Sequence, residues 1–223
     1  MCVPTLSEFL TRVRSKSLTD LIRLAPQHAW TVLNRRAIAA YYWNDLHVTP
    51  FARTRRRHDA VQQLRSSQEV LFLCHGNICR SPFAERYARK ELSSRGINTL
   101  NVSSAGFVDM NNPRSPRNAQ SAAEAFDIDL TDHRSVKATD AIIEAADLIF
   151  LMDYRNYHNF TTHFPQAIDR MFLLRIFEPG STMQLPDPNG NSSSVFDTVY
   201  ADIAACIRSL IDEYESVISK DLT

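Results

Sequence analysis

The chain alternates short apolar runs with segments whose apolar residues recur at helical spacing. The run Val70–Leu73 is continuously apolar, as a strand buried on both faces requires. Further strands are predicted at 100–104, 147–152 and 170–174, and helical patterns lie at 115–127, 138–145, 154–163 and 194–219. This alternation predicts an α/β fold, in which helices cover both faces of a parallel sheet and ligands bind at the carboxyl ends of the strands.

The first 66 residues follow a different pattern. Their apolar positions predict helical pieces, which Pro26 and Pro50 separate. They hold eleven Lys or Arg against four Asp or Glu, whereas the rest of the chain holds fourteen against twenty-one, so the zero net charge hides a basic first part. We therefore expect a basic α-helical extension at 1–66 and a separate domain at 67–223.

A compact basic cluster lies near the end of this extension, at Arg53, Arg55, Arg56 and Arg57. Two interpretations remain open. The helices pack on the acidic domain and the arginines form a solvated linker face, or the extension docks on a partner. Among partners, another protein is favoured over an anionic membrane or a nucleic acid, and no DNA is expected.

The first strand of the domain ends on Cys74, and a short loop then leads into a helix. Ser81-Pro82 marks the start of that helix and Gly96 its end. Arg80 can pair two phosphoryl oxygens at once. Loop amides can converge beside the helix N-terminus, where a phosphate would bind and a thiolate would be stabilised. The sequence thus predicts Cys74 as a nucleophile beneath phosphate-binding residues His75, Gly76, Asn77, Ile78, Cys79 and Arg80.

This loop resembles that of the low-molecular-weight protein tyrosine phosphatase family, Cys-x-Gly-Asn-x-Cys-Arg-Ser-Pro, at every fixed position. The resemblance covers about residues 67–220 and continues through Ser103-Ser-Ala-Gly106, Asp132-His-Arg-Ser135, Ala146-Asp-Leu-Ile-Phe-Leu-Met-Asp153 and Leu185-Pro-Asp-Pro188. It implies a parallel four-stranded sheet of strand order 2-1-3-4. It also implies a phosphomonoester hydrolase that works through a cysteinyl-phosphate intermediate.

The resemblance implies roles for further side chains. Asp187 occupies the position of the family's general acid, which would protonate the leaving oxygen; a surface turn is the alternative, since Pro-Asp-Pro-Asn-Gly is also turn composition. Ser81 is placed to donate to the nucleophilic sulfur. Asn77 is expected to support the loop through a polar network with Ser104 and His133, and Asn tolerates the left-handed backbone that a tight anion loop often needs.

Cysteine usage indicates a reducing compartment. Cys79 matches a family position that can form a disulfide with the nucleophile and so protect it from irreversible oxidation; a small buried hydrophobe is the alternative. Four cysteines, one of them needed as a thiolate, favour the cytoplasm over a disulfide scaffold. The sequence shows no membrane span, no signal segment and no metal-ligand cluster, so we expect a cytoplasmic enzyme without metal or cofactor.

The substrate depends on the rim of the cleft. Tyrosine-specific relatives carry aromatic residues after the general acid, whereas Asn189-Gly190 follows here, and Phe107, Met110 or Tyr154 would have to supply a wall. Gly190-Asn-Ser resembles bacterial members linked to exopolysaccharide control, which makes a tyrosine kinase of that system a candidate partner.

A phosphotyrosine protein is the expected substrate, and two other functions remain open. Arsenate reduction uses the same kind of anion loop, but it needs further cysteines to relay a disulfide, and residues 80–205 contain none. A phosphate-binding or scaffold protein without turnover is the second alternative.

Overall fold

The structure is a computed structural model that describes residues 50–178 and 182–220, and these belong to one compact unit. Two 3₁₀ helices, Pro165–Arg170 and Leu174–Phe177, flank the last strand. The other elements, in chain order, are α1 (Pro50–Ser66), β1 (Glu69–Cys74), α2 (Arg80–Ser94), β2 (Asn101–Gly106), α3 (Arg117–Glu124), α4 (Asp140–Ala145), β3 (Leu148–Leu151), α5 (Tyr154–His163), β4 (Met171–Leu173) and α6 (Ser193–Lys220).

The four strands form one parallel sheet in the order β2-β1-β3-β4, which confirms the predicted fold class and strand order. The continuous apolar run of β1 lies at the centre, where Leu71 pairs with Ser103 of β2 and Ile149 of β3. Residues 70–73 are at most 1% exposed, because neighbouring strands and covering helices enclose them on every side.

Aromatic side chains hold α2 against the long last helix. The ring of Phe83 stacks on that of Tyr200 in α6, with centroids 4.0 Å apart, and also on that of Tyr87, at 5.6 Å. The Tyr200 hydroxyl also donates to the carbonyl of Cys79, just before α2 begins. This packing fixes the N-terminus of α2 beside the carboxyl end of β1.

Helix α1 is the described end of the predicted extension, and it packs against α6 and the 3₁₀ helix Leu174–Phe177. Its buried face carries Ala60 and Leu64, both fully buried, and Val61 at 4% exposure. The predicted helical pieces before residue 50 lie outside the described residues.

The arginine cluster of α1 divides into two pairs. Arg53 Nη2 donates to the carbonyl of Arg175 at 2.7 Å, and Arg57 Nη1 donates to that of Phe177 at 2.8 Å. The expectation of a solvated arginine face is therefore wrong for Arg53 and Arg57, because these two side chains satisfy carbonyls at the end of a 3₁₀ helix. The expectation holds for Arg55 and Arg56, whose side chains are exposed.

No helix in the described ranges 50–178 and 182–220 is both long enough and apolar enough to cross a membrane.

Candidate active site

The loop between β1 and α2 places a cysteine, an asparagine and a serine together. Cys74 is the last residue of β1 and is 3% exposed. Ser81, in the first turn of α2, donates from its hydroxyl to Cys74 Sγ at 3.0 Å. Asn77 has φ 51° and so adopts the left-handed conformation expected for this loop. The chain thus turns tightly enough to bring the start of α2 onto the sulfur.

Asn77 is the centre of the polar network. Its Nδ2 donates to Ser81 Oγ and to Ser104 Oγ, both at 2.9 Å, and its Oδ1 accepts from the Val136 amide at 2.8 Å. His133 Nε2 lies 2.8 Å from the carbonyl of Asn77 and donates to it, since a carbonyl only accepts. Burial lowers the pKa of His133, which favours the neutral ring. The structure therefore brings all four predicted loop-support residues into contact.

The network ends on a carboxylate that the sequence did not indicate. Ser104 Oγ donates to Glu85 Oε2 at 2.6 Å, and Arg89 pairs with Glu85 Oε1 at the same distance. An ionised carboxylate only accepts, so Glu85 sets the direction of the hydrogen bonds. Ser104 donates to Glu85, which leaves its oxygen to accept from Asn77. The sequence held one indication of this role, since Glu85 lies one helical turn after Ser81 and so on the same face of α2.

Arg80 is buried, with 1% of its surface exposed, and its guanidinium has two different edges. Nη1 donates to Asp153 Oδ2 at 2.5 Å and to the carbonyl of Leu185 at 2.9 Å. On the other edge, Nη2 lies 2.9 Å from Asp187 Oδ2, while Nε is buried without a partner among the described residues. Burial alone would lower the pKa of Arg80, but Cys74 and the two carboxylates offset this and raise it.

Asp153 is a second residue to which the sequence assigned no role. Its Oδ2 binds Arg80, and its Oδ1 accepts from the amide of Asn156, which caps the N-terminus of α5. One carboxylate therefore joins the guanidinium to the helix that follows β3. An aspartate directly before a helix is a common N-cap, but that pattern does not indicate which arginine the second oxygen will bind.

Asp187 lies on the segment after β4 and combines the two alternatives raised from the sequence. Its Oδ1 accepts from the Asn189 amide at 3.3 Å, as in an Asx turn, while its Oδ2 pairs with Arg80. The Leu185 amide donates to the Met152 carbonyl at 2.8 Å and anchors this segment to the end of β3. The turn thus presents the carboxylate to the loop, and 37% of the Asp187 side chain remains exposed.

The three candidate wall residues differ in position. Phe107 and Tyr154 are partly buried and pack against the core. Met110 is 38% exposed, and its Cγ lies 3.3 Å from the position that a Cβ on Gly76 would take. Met110 therefore lies against Gly76 of the phosphate loop, whereas Phe107 and Tyr154 contribute to the packing of the core.

Gly106, at the end of β2, allows the loop to approach the sheet. A Cβ at this position would lie 2.7 Å from both Asn77 N and the Gly76 carbonyl carbon. We expect Gly106→Ala to push the loop away from β2. The free energy of unfolding would fall by roughly 1–3 kcal/mol, and kcat/KM would fall as well. Urea unfolding and steady-state kinetics measure the two effects.

Gly96→Ala is the matched control, because Gly96 has φ +70° and its added Cβ would meet nothing within 4 Å. It should lower stability through backbone strain alone and leave kcat/KM within about twofold. Equal kinetic effects of the two variants would contradict the close-approach argument.

Cys79 is 2% exposed and is a free thiol, as is Cys74. Burial raises the pKa of the Cys79 thiol, and the neighbouring Cys74 raises it further. Within the described ranges, no group of three or more His, Cys, Asp or Glu side chains is arranged to hold a metal ion.

Comparison with known proteins agrees with this geometry. Residues 69–221 match the family model described as low molecular weight phosphotyrosine protein phosphatase. The chain is 30% identical over 142 residues to a protein-arginine-phosphatase of Bacillus subtilis, which covers 64% of this chain and 93% of the relative. It is 29% identical over 152 residues to a low molecular weight phosphotyrosine protein phosphatase of Sus scrofa, covering 66% of this chain and 96% of the relative.

A similar fold occurs among solved structures. The crystal structure of a YwlE mutant from Bacillus subtilis aligns with a TM-score of 0.62 and 28% identity, over 67% of this chain and 99% of that one. The sequence match contains the whole loop from Cys74 to Ser81 and the Asp187 segment, and it begins after α1. The chain therefore belongs to the low molecular weight phosphotyrosine protein phosphatase family.

Proposed function

We propose that this enzyme hydrolyses phosphotyrosine in proteins through a cysteinyl-phosphate on Cys74. One observation carries the proposal: Arg80 is buried between Asp153 and Asp187, with its Nε and Nη2 edge available for exchange with an anion, at the loop that holds Cys74. Family membership supports the reaction class. The residue roles follow from the chemistry of each contact.

In the first step the Cys74 thiolate attacks phosphorus and the bond to the tyrosine oxygen breaks. Arg80 Nε and Nη2 pair two phosphoryl oxygens, which displaces Asp187 from Nη2. Once it has left the guanidinium, the solvent-exposed Asp187 takes up a proton from water and passes it to the leaving phenolate as general acid. The backbone amides of residues 75–80 donate hydrogen bonds to the phosphoryl oxygens and stabilise their negative charge. The hydroxyl of Ser81 stabilises the Cys74 sulfur through its hydrogen bond.

In the second step water replaces the phenol. Asp187, now ionised, accepts a proton from the water as its oxygen attacks phosphorus. The phosphorus–sulfur bond breaks, inorganic phosphate forms and the Cys74 thiolate returns. Asp153 keeps Arg80 oriented throughout, since it binds the guanidinium edge that faces away from the phosphoryl group.

The buried network has a positioning role in this proposal. Asn77 in its left-handed conformation directs the loop, and its bonds to Ser104 and Ser81 hold that conformation. His133 donates to the carbonyl of Asn77 and so holds its backbone as well. Because the network is complete before an anion binds, the loop needs little reorganisation during the reaction.

The substrate test compares phosphotyrosine with phosphoarginine, since one relative is named a protein-arginine-phosphatase. We expect the purified chain to release phosphate from a phosphotyrosine peptide faster than from a phosphoarginine peptide of the same sequence. The reverse order would assign phosphoarginine. Thiol consumption driven by arsenate and exceeding phosphatase turnover would favour arsenate reduction, and anion binding without any turnover would favour a scaffold.

Cys79 is proposed to protect the nucleophile during oxidation. Peroxide converts the Cys74 thiolate to a sulfenic acid, and the Cys79 thiol then displaces water to form a disulfide. We expect dithiothreitol to restore activity after peroxide treatment in the parent chain but not in Cys79→Ala, where oxidation proceeds to irreversible acids. Equal recovery in the two chains would contradict this role. The free thiols fit the cytoplasm proposed from the sequence.

Three proposals about organisation and partners rest on the sequence. Residues 67–223 are the proposed catalytic domain, and the basic segment 1–66 is the proposed docking element for a protein partner. A tyrosine kinase of exopolysaccharide control is the proposed substrate, on the resemblance at Gly190-Asn-Ser.

Deletion of residues 1–49 tests the docking proposal, because the shortened chain retains α1, which packs against the catalytic domain. The shortened chain should dephosphorylate a free phosphopeptide normally and a phosphorylated kinase of this class more slowly, whereas equal rates on the kinase would contradict docking through residues 1–49.

A further inference from the structure

The phosphate loop carries a histidine at the unspecified second position of the motif Cys-x-Gly-Asn. His75 directly follows Cys74, and its Nε2 lies 3.0 Å from Nη2 of Arg155. A guanidinium only donates, so His75 Nε2 accepts and the ring proton is on Nδ1. The loop is thereby joined to the first turn of α5, next to the Asp153 that binds Arg80.

The contact between His75 and Arg155 carries a single positive charge, that of Arg155, at the rim of the active-site cleft. Burial, followed by the nearby charge of Arg155, lowers the pKa of His75 and favours its neutral form. Arg155 is exposed and takes part in no ion pair within the described part of the chain. By contrast, Arg80 is already paired with Asp153 and Asp187. The cation of Arg155 is therefore available to a substrate.

The placement of Arg155 is unfavourable for the helix that carries it. A cation in the first turn of a helix is opposed by the positive end of the helix dipole. His75 also restrains a long side chain that would otherwise be mobile, so less conformational entropy is lost when an anion binds. Both features favour a role in recognition over a role in helix stability.

We propose that Arg155, positioned by His75, selects phosphotyrosine peptides that carry an anionic group beside the phosphorylated residue. This inference rests on the proposed function of the same site. The anionic group is a carboxylate or a second phosphate, since a guanidinium pairs with either. Arg155 acts as a specificity residue and His75 as its positioning residue.

The test compares kcat/KM for three phosphotyrosine peptides that differ only at the neighbouring residue, which is Gln, Glu or phosphoserine. The measured signal is the appearance of the dephosphorylated tyrosine side chain in the peptide, which phosphate lost from phosphoserine would not affect. An exposed ion pair predicts a preference of about two- to fivefold for an anionic neighbour over Gln at low ionic strength. The preference should disappear in about 0.5 M salt because counterions screen exposed charges. A preference for Glu assigns a carboxylate, and one confined to phosphoserine assigns a second phosphate.

Arg155→Gln should reduce the anionic-to-neutral ratio to about one, and His75→Leu should reduce it in part by removing the acceptor that holds Arg155. Arg65→Gln removes the same charge at the exposed end of α1, just before the amino end of β1 rather than at the carboxyl end where His75 lies, and should keep the ratio. Equal rates on all peptides in the parent chain, or an unchanged ratio in Arg155→Gln, would overturn the inference alone. Failure to hydrolyse any of the peptides would contradict the proposed function instead.

Discussion

Cys74→Ser is expected to abolish phosphoester hydrolysis while the fold and anion binding remain. The hydroxyl is far less nucleophilic than a thiolate, and the neighbouring Ser81 hydroxyl, which donates to this position, is not a base that could activate it. Loss of a nucleophile lowers kcat by roughly four orders of magnitude or more. Phosphate release from an aryl phosphate, measured with enzyme concentrations high enough to detect residual turnover, tests this expectation.

The matched control for Cys74→Ser is Cys206→Ser, because Cys206 is a fully buried thiol on α6. Burial raises the pKa of Cys206 to about 12, so this thiol is protonated near neutral pH. Cys206→Ser should lower stability by placing a hydroxyl in the core and leave kcat/KM within about twofold. Residual activity of Cys74→Ser above about one part in a hundred would contradict its role as nucleophile.

Asp187→Asn is expected to slow catalysis and tighten anion binding at the same time. Loss of a general acid lowers the rate by about 10²- to 10⁴-fold. In the structure, however, Asp187 also occupies Arg80 Nη2 at 2.9 Å, so a phosphoryl group must displace it. The neutral amide competes less for the guanidinium. The variant should therefore hold a phosphotyrosine substrate more tightly while turning it over slowly.

Leaving-group dependence distinguishes an acid from a binding residue. In Asp187→Asn, kcat/KM should fall more for phenyl phosphate than for p-nitrophenyl phosphate, because p-nitrophenolate leaves without needing a proton. The inhibition constant of inorganic phosphate should fall in the same variant. Asp153→Asn is the comparison, since Asp153 pairs with the other edge of Arg80 and should affect both substrates equally. Equal losses for the two substrates in Asp187→Asn would contradict the general-acid role.

Most of the fold could be predicted because its signals are local. The run at 70–73 indicates a strand buried on both faces, and the structure has β1 at the centre of the sheet. Ser81-Pro82 marks a helix start, and α2 begins at Arg80. Asn77 was expected to adopt a left-handed backbone and has φ 51°. In each case the controlling physics acts within a few residues.

Contacts between distant residues account for what the sequence did not indicate. Asp153 and Arg80 are separated by 73 positions, and Glu85 acts on the loop through Ser104, 19 positions away. Arg155 reaches His75 across 80 positions. Arg and Asp are common on protein surfaces, so residue type alone does not distinguish a side chain that binds a distant residue in the active site from one that faces solvent. Only packing determines which pairs meet.

The arginine cluster of α1 shows the same limit. Its charge is evident in the sequence, and two of its members do face solvent. Arg53 and Arg57 instead bind carbonyls more than a hundred positions later, at the end of a 3₁₀ helix that no local pattern connects to them. The match to the family begins after α1, although α1 buries an apolar face against the same body.

The sequence alone determined the chemistry of the loop, because an anion site built from consecutive backbone amides, one thiol and one guanidinium needs only a short segment at a strand end. Tertiary structure decided how that guanidinium is shared. Packing of β3, α5 and the segment after β4 brings Asp153 to one edge of Arg80 and Asp187 to the other. It also brings Arg155 to His75 of the loop. Charges interact through space rather than along the chain, so their balance is set only when the chain has folded.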